Sequence, residues 1–499
     1  MIRIAVALFL FFLARPVMAQ PAPPPETTAA IPALDGIFEE FQRISHAPGV
    51  AYGIVADGRL VHFRGFGVQD LTVRRPVTRD SLFRIASMSK AFTALAILKL
   101  RDEGKLSLDA PAETYVPEMR GWKYPTADSP RIRVRDLLNH LGGFVTDDPW
   151  GDRQQVLSEA EFTKMLRTGV PFTRAPGLAM EYSNFGYALL GRIITNVSGR
   201  PYDRYIVETI QWPLGMASTG YEVRDWPLER RAVGYRWENE TWTEEPTMRH
   251  GAFGAMGGVQ TSAGDYAKWM AFLLSGWPAR DGPEAGPVRR ATVREMASGS
   301  NFPRNGTRFG RSPVPQAQAY AMGLIAAQDP ELGNALMHGG GYPGYGSHML
   351  LLTDHNVGIF VFSNRTYNGG SGPAWDAAMA LHRAGALKRR AIPVSSALAA
   401  AYAAAGAMYR AGSLAPGQGL LAMNFLMDRS AENWGRDFAG LRGQVGECDA
   451  SSPITPNGAL AGRFEWTCEK GKLGGQLLLA PTATPQIQAL RLQPVQPLK

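Results

Sequence analysis

Two cysteines in 499 residues exclude a disulfide-rich scaffold and any zinc or iron–sulfur centre held by cysteine. None of the eight histidines stands in an H-E-x-x-H or comparable ligand spacing, so neither a metal nor an organic cofactor is implied. Long basic runs are also missing. Lys and Arg number 52 against 44 Asp and Glu, a formal net charge of +8 and a pI near 9.4, a mild excess that does not suggest nucleic-acid binding. Past the N-terminus no apolar run reaches spanning length, and there is no internal repeat. With 45% hydrophobic and 19% charged residues, the composition is that of a soluble globular protein of about three domains by length alone.

At the N-terminus Arg3 precedes an apolar run from Ile4 to Ala14, and Val17-Met18-Ala19 closes the segment before Gln20. This reads as a secretory signal peptide over residues 1–19. A membrane anchor is the weaker alternative, because Arg15-Pro16 interrupts a run already shorter than the roughly 20 residues a span requires. Cleavage after Ala19 lowers the formal charge from +8 to +6 and leaves an exported protein, periplasmic or secreted, with no stable membrane span. Residues 20–33, with prolines between Pro21 and Pro25, read as a short extended linker.

From Gly49 to Gly67 two apolar runs flank Asp57-Gly58, a hairpin signal. A second hairpin is expected where His348 to Leu352 and Val357 to Phe362 flank Asp354-His355-Asn356. Between them lie helical patterns over Met88–Asp102, Val134–Leu141, Glu159–Leu166, Tyr187–Val197 and Gly264–Leu274. Strands at both ends with helices between them predict one α/β (α+β) unit over residues 34–391, its sheet completed by distant parts of the chain. Residues 394–499 read as a separate small α+β domain. It has helical patterns over Ser396–Ala411 and Leu420–Leu441, then strands near Leu460–Thr467, Leu473–Leu479 and Ile487–Leu492. Both cysteines fall inside it, and in an exported protein a Cys448–Cys468 disulfide is expected, with two free buried thiols as the alternative.

Three short motifs carry candidate chemistry. Ser87-Met88-Ser89-Lys90 opens a helix, where positions i and i+3 share a face, so the Lys90 ammonium can reach the Ser87 hydroxyl. Lysine can act as the base for serine only if burial and nearby cations depress its pKa. The alternative is a capping serine with Lys90 in solvent. Tyr182-Ser183-Asn184 offers a phenol that can shuttle a proton and an amide that can hold a substrate carbonyl, or else a loop in which Asn184 caps the next helix. His338-Gly339-Gly340-Gly341 offers a strand edge that a substrate can approach and N–H groups for an oxyanion hole, or else a plain glycine turn.

In this order the motifs resemble the serine β-lactamase and penicillin-binding-protein-like hydrolases, closest to the class C β-lactamases and their esterase and D-aminopeptidase relatives, over about residues 34–386. Gly104 to Asp109, Val134 to Gly143 and Gly257 to Ser262 add to the resemblance. It implies a β-lactamase-like fold, an antiparallel sheet flanked by helices plus a mostly helical subdomain, with the site in the cleft between them. It implies Ser87 as the acylated nucleophile, Lys90 as its activating partner and Tyr182 as the proton shuttle. Asn184, His338, Gly339 and Gly340 become substrate-binding, and the backbone N–H groups of Ser87 and Gly341 the oxyanion hole. The departure is His338, where β-lactamases and D-alanyl-D-alanine carboxypeptidases carry the lysine of Lys-Thr-Gly; a largely neutral histidine lowers the expectation of β-lactam hydrolysis. The expected function is an exported serine hydrolase acting on a small-molecule ester, amide or D-amino-acid peptide. β-Lactamase or carboxypeptidase activity is the alternative within the class, and a non-catalytic envelope-binding module the alternative outside it. No oligomeric state is implied.

Overall fold

A computed structural model describes residues 23–301 and 304–495. The expected signal peptide lies outside them, as do residues 20–22 of the expected linker. The chain divides into two compact units between Arg389 and Arg390.

In the larger unit α1 (Pro25–Ile44), β1 (Gly49–Ala56), β2 (Arg59–Asp70) and β3 (Arg75–Pro76) come first, and β4 (Leu82–Arg84) leads towards α2 (Lys90–Asp102). A helical block follows, with α3 (Val134–Leu138), α4 (Asp148–Arg153), α5 (Glu159–Thr168) and α6 (Asn184–Ser198). β5 (Gln260–Ser262) pairs with β4 and enters α7 (Ala263–Leu274). The chain then lays down β6 (Arg304–Arg308), β7 (Val314–Ala321), β8 (Leu324–Asp329), β9 (Gly333–Tyr342), β10 (Tyr345–Leu352) and β11 (Val357–Ser363), and closes with α8 (Ser371–Arg383). The result is a nine-stranded sheet ordered β3-β2-β1-β11-β10-β9-β8-β7-β6, antiparallel at every pairing. This is the α+β architecture of the sequence reading, with early and late strands sharing one sheet.

The central strands read as unbroken apolar runs because both faces are covered. Alternate residues point to opposite sides. Ala51, Val55, Met349, Leu351, Phe360 and Phe362 join the core shared with the helical block. Val50, Tyr52, Ile54, Leu350, Leu352, Ile359 and Val361 join a second core under α1 and α8. At the first hairpin Asp57 and Gly58 both adopt positive φ, +49° and +74°, as a two-residue turn of the right twist requires.

The linker expectation is corrected from residue 25 onward. Pro25 is the first helical residue, a position where its missing N–H costs nothing, and Thr27, Ala30, Leu34, Phe38 and Phe41 recur at helical spacing on the buried face of α1. Among the described residues no helix is long and apolar enough to cross a membrane.

The smaller unit packs helices Ser396–Ala411 and Ala431–Val445 with strands Ala461–Cys468, Gly471–Leu479 and Ile487–Pro494. Its core includes Leu398, Met408, Phe438, Trp466 and Ile487. The helical pattern expected from Leu420 settles instead into a short helix, Phe425–Asp428, and the longer one from Ala431, where the Ser430 hydroxyl caps the Asn433 N–H. Cys448 and Cys468 form a disulfide across directly opposed positions of two antiparallel strands. Replacing both by serine is expected to destabilise this unit by about 3 kcal/mol in the chain-entropy view. Urea unfolding with and without reductant checks this; an unchanged midpoint contradicts it.

Candidate active site

The turn carrying Ser87 is fixed from both sides. The Ile85 N–H donates to the Val259 carbonyl at 3.0 Å, and the Ser347 hydroxyl of β10 donates to the Ile85 carbonyl at 2.9 Å. Ala86 is held at φ +48°, a left-handed conformation that costs a non-glycine residue about 1 kcal/mol or more. A short 3-10 turn, Ala86–Ser89, then runs into α2. α2 is buried on nearly every side, which is why it shows no polar stripe and why Lys90, in its first turn, is fully buried and not in solvent.

Lys90 Nζ has three hydrogen-bond partners: Ser87 Oγ at 3.1 Å, Asn184 Oδ1 at 2.7 Å and the Met256 carbonyl at 2.9 Å. The rings of Tyr182 and Tyr187 lie 4.8 and 5.5 Å from the same nitrogen. Burial pulls its pKa down to about 8, against the opposing pull of Asp148, Asp152 and Asp147. Two of the three partners can only accept. A neutral Lys90 therefore gives its two N–H groups to Asn184 and Met256 and leaves its lone pair facing the Ser87 hydroxyl. Tyr182 completes the group. Desolvation of its hydroxyl, then Asp148, hold the phenol well above its ordinary range, while a hydrogen bond with Ser87 works the other way.

Asn184 is fully buried. Its Nδ2 donates to Asp148 at 3.1 Å, which turns Oδ1 towards Lys90 and engages both ends of the amide. Asp147 accepts from the N–H groups of Asn184 and Phe185 at 2.6 and 2.9 Å. The helix cap itself is Ser183, whose hydroxyl accepts from the Gly186 N–H, so Asn184 is the first residue of α6 and not its cap.

The glycine motif lies in β9, whose pairing with β8 ends at Met337. Among the described residues, His338 to Tyr342 thus have a partner strand only on the β10 side. His338 is buried, and desolvation, with Lys90 adding to it, lowers its pKa to about 3, so it is neutral. Its Nδ1 lies 2.6 Å from the Gly339 carbonyl and must carry the proton, leaving Nε2 to accept from the Tyr320 hydroxyl at 3.1 Å. Gly340 is where β9 meets the Ser87 turn: a Cβ there would stand 2.2 Å from Ser347 Oγ and 2.3 Å from the Ile85 carbonyl oxygen. At Gly341 it would meet the Tyr367 ring at 2.6 Å, whereas at Gly339 the nearest atom is 3.5 Å away.

The structure therefore gathers Ser87, Lys90, Tyr182 and Asn184 into one contact group, with the glycine strand alongside. Sequence reasoning missed the segment behind them. Asp147 precedes α4 and Asp148 and Asp152 lie within it, and Gln155, fully buried, accepts from Arg84 at 2.7 Å and from the Tyr342 hydroxyl. Burial raises the Asp152 carboxyl to about 7, with Lys90 easing it. His140 was also missed. Its ring packs 4.3 Å from Tyr182 and 4.4 Å from Tyr320, and its Nδ1 accepts from the Ser183 N–H. The available signal was three acidic residues in a short stretch after Gly142-Gly143, with no periodic pattern to make a surface helix of them.

Residues 34–384 match the sequence family described as Beta-lactamase. Among curated proteins, the chain is similar to Protein flp of Staphylococcus aureus strain NCTC 8325 / PS 47, 29% identical over 339 residues that cover 66% of this chain and 62% of flp. It is also similar to Penicillin-binding protein 4* of Bacillus subtilis strain 168, 27% identical over 328 residues that cover 62% of this chain and 66% of that protein. The chain thus spans about 62% of the length of flp. Its fold resembles that of the octameric penicillin-binding protein homologue from Pyrococcus abyssi, with a TM-score of 0.58 at 21% identity over 93% of this chain and 99% of that one.

Proposed function

The chain belongs to the beta-lactamase family, and from that premise we propose that it is a serine hydrolase that cleaves an ester or amide through an acyl-enzyme on Ser87. The observation that carries the reading is the set of three partners around Lys90. With a pKa near 8, Lys90 is the group that can shed a proton close to neutrality, whereas the Tyr182 phenol is held protonated. Lys90 then takes the Ser87 proton as Oγ attacks the carbonyl carbon. The oxyanion is received by the N–H groups of Ser87 and Gly341. Tyr182 hands its proton to the departing oxygen or nitrogen and regains one from Lys90. Water repeats the sequence in reverse to free Ser87. Asn184 holds Lys90 in place, and the glycine strand from His338 lies along the substrate.

A neutral His338 supports an uncharged ester or amide over a substrate read by its carboxylate, since no fixed cation stands where Lys-Thr-Gly would supply one. Export forms part of the same reading and rests on the Arg3–Ala19 segment. The test is intact-protein mass after reaction with a fluorophosphonate. One adduct is expected, mapping to Ser87 and missing in Ser87→Ala. An unlabelled parent, or an adduct that survives Ser87→Ala, overturns the reading. Faster turnover of a chromogenic cephalosporin than of a chromogenic acetate ester would overturn the inference from His338.

A further inference from the structure

The glycine strand has two ends with different neighbours. At one end the His338 ring lies 6.2 Å from that of Tyr182. At the other, the ring of Tyr367 lies against Gly341. About 10 Å of extended strand separates them. In the proposed reaction Tyr182 protonates the leaving group, so the leaving group occupies the His338 end and the acyl chain extends past Gly341 towards Tyr367.

Tyr367 is built to stay there. It follows β11, sits at φ +52°, and its N–H is shared between the Tyr342 and Tyr345 carbonyls at 3.3 and 3.1 Å. Although Tyr367 is 46% exposed, its hydroxyl reaches across to Asp152 Oδ2 at 3.0 Å. Asp152 belongs to α4 in the helical block and is buried. α4 is in turn pressed against α6 at Gly151, where a Cβ would meet Asn184 at 2.8 Å. The hydrogen bond therefore joins the sheet side of the site to its helical side beyond Gly341.

We propose that Tyr367 and Asp152 form a bridge across the acyl side of the site, and that this bridge selects short acyl groups. The proposal rests on the hydrolase reading above and adds to it the residues that set acyl specificity. Neither residue is assigned a chemical step.

The experiment compares kcat/KM for p-nitrophenyl octanoate and p-nitrophenyl acetate in the full-length protein. The octanoate-to-acetate ratio is expected to rise by about tenfold or more in Tyr367→Phe, which keeps the ring and loses the anchor. Asp152→Ala is expected to raise it by a similar factor, and the double variant no further than either single one, the signature of a shared contact. Asp152→Asn keeps an acceptor oxygen and is expected to stay with the parent. General damage to the fold lowers both rates and leaves the ratio alone. Turnover of both esters with an unmoved ratio in Tyr367→Phe and Asp152→Ala overturns the bridge alone, as do effects that add in the double variant. If the parent turns over neither ester, the hydrolase reading fails and the bridge falls with it.

Discussion

Replacing Lys90 by methionine is expected to lower kcat by about 10²–10⁴-fold and to cost less stability at pH 6 than at pH 9. The two effects have one cause. Lys90 is fully buried and charged below about pH 8, so its removal relieves a buried charge there, but it also leaves the Asn184 and Met256 oxygens without their donor and the neighbouring carboxylates without their cation. The sign of the pH dependence follows from its depressed pKa of about 8. Between that value and the ordinary lysine value of about 10.4 the folded protein binds fewer protons than the unfolded chain, so parent stability rises with pH across that window. The full cost of burying the charge is present below pH 8, and there the loss from Lys90→Met is smallest. The loss grows at higher pH through Asp152, whose carboxyl is driven further up once its cation is gone. Urea unfolding at pH 6 and pH 9 measures this. In the parent, kcat/KM is expected to climb with pH as Lys90 loses its proton near 8, and the variant's residual rate to lack that limb. A variant within threefold of the parent rate would remove Lys90 from the mechanism.

The second large effect is expected at Gly340. A Cβ at 2.2 Å from Ser347 Oγ could be relieved by turning the hydroxyl away, but the 2.3 Å approach to the Ile85 carbonyl is to backbone. β9 must then move off the Ser87 turn. Overpacking of this kind costs about 1–3 kcal/mol, and a displacement of about 1 Å at the reacting centre costs about 10²-fold in rate. Gly340→Ala should show both losses together. Gly339→Ala, where nothing lies closer than 3.5 Å, should show neither to that degree. Thermal melts and acetate-ester kinetics on the pair provide the check; equal behaviour of the two variants contradicts the close approach.

What could be read from the sequence was whatever is encoded locally. Asp57-Gly58 announces its hairpin by backbone preference, and the helices at Lys90–Asp102, Asn184–Ser198 and Ala263–Leu274 by apolar density. Ser87 and Lys90 lie one turn apart, so their contact needs no tertiary information. The remainder depends on pairings across long separations. That Asn184 turns its oxygen to Lys90 is decided by Asp148, and that Asp152 is buried is decided with Tyr367. Neither is visible in a window of ten residues. β6 escaped notice because it is largely exposed, reading Arg304-Asn305-Gly306-Thr307-Arg308 with only its last residue buried. α1 was misread because clustered prolines suggest extension in general, although Pro25 at the first helical position favours the helix.

The pairing of β1 with β11, which sets Val50 opposite Ser363, has a consequence for the order of assembly. A chain emerging from its N-terminus makes β1, β2 and the whole helical block before the strand that completes the centre of the sheet exists. Until then one edge of β1 is open, and the turn at Ser87 lacks the Ser347 hydrogen bond that ties down Ile85. Contacts of such long separation make for slow closure and a partly exposed core on the way. Ser87 is therefore made early in the chain but takes its place late in folding, and a chain truncated before β10 carries all of Ser87, Lys90, Tyr182 and Asn184 without the strand that holds the Ser87 turn.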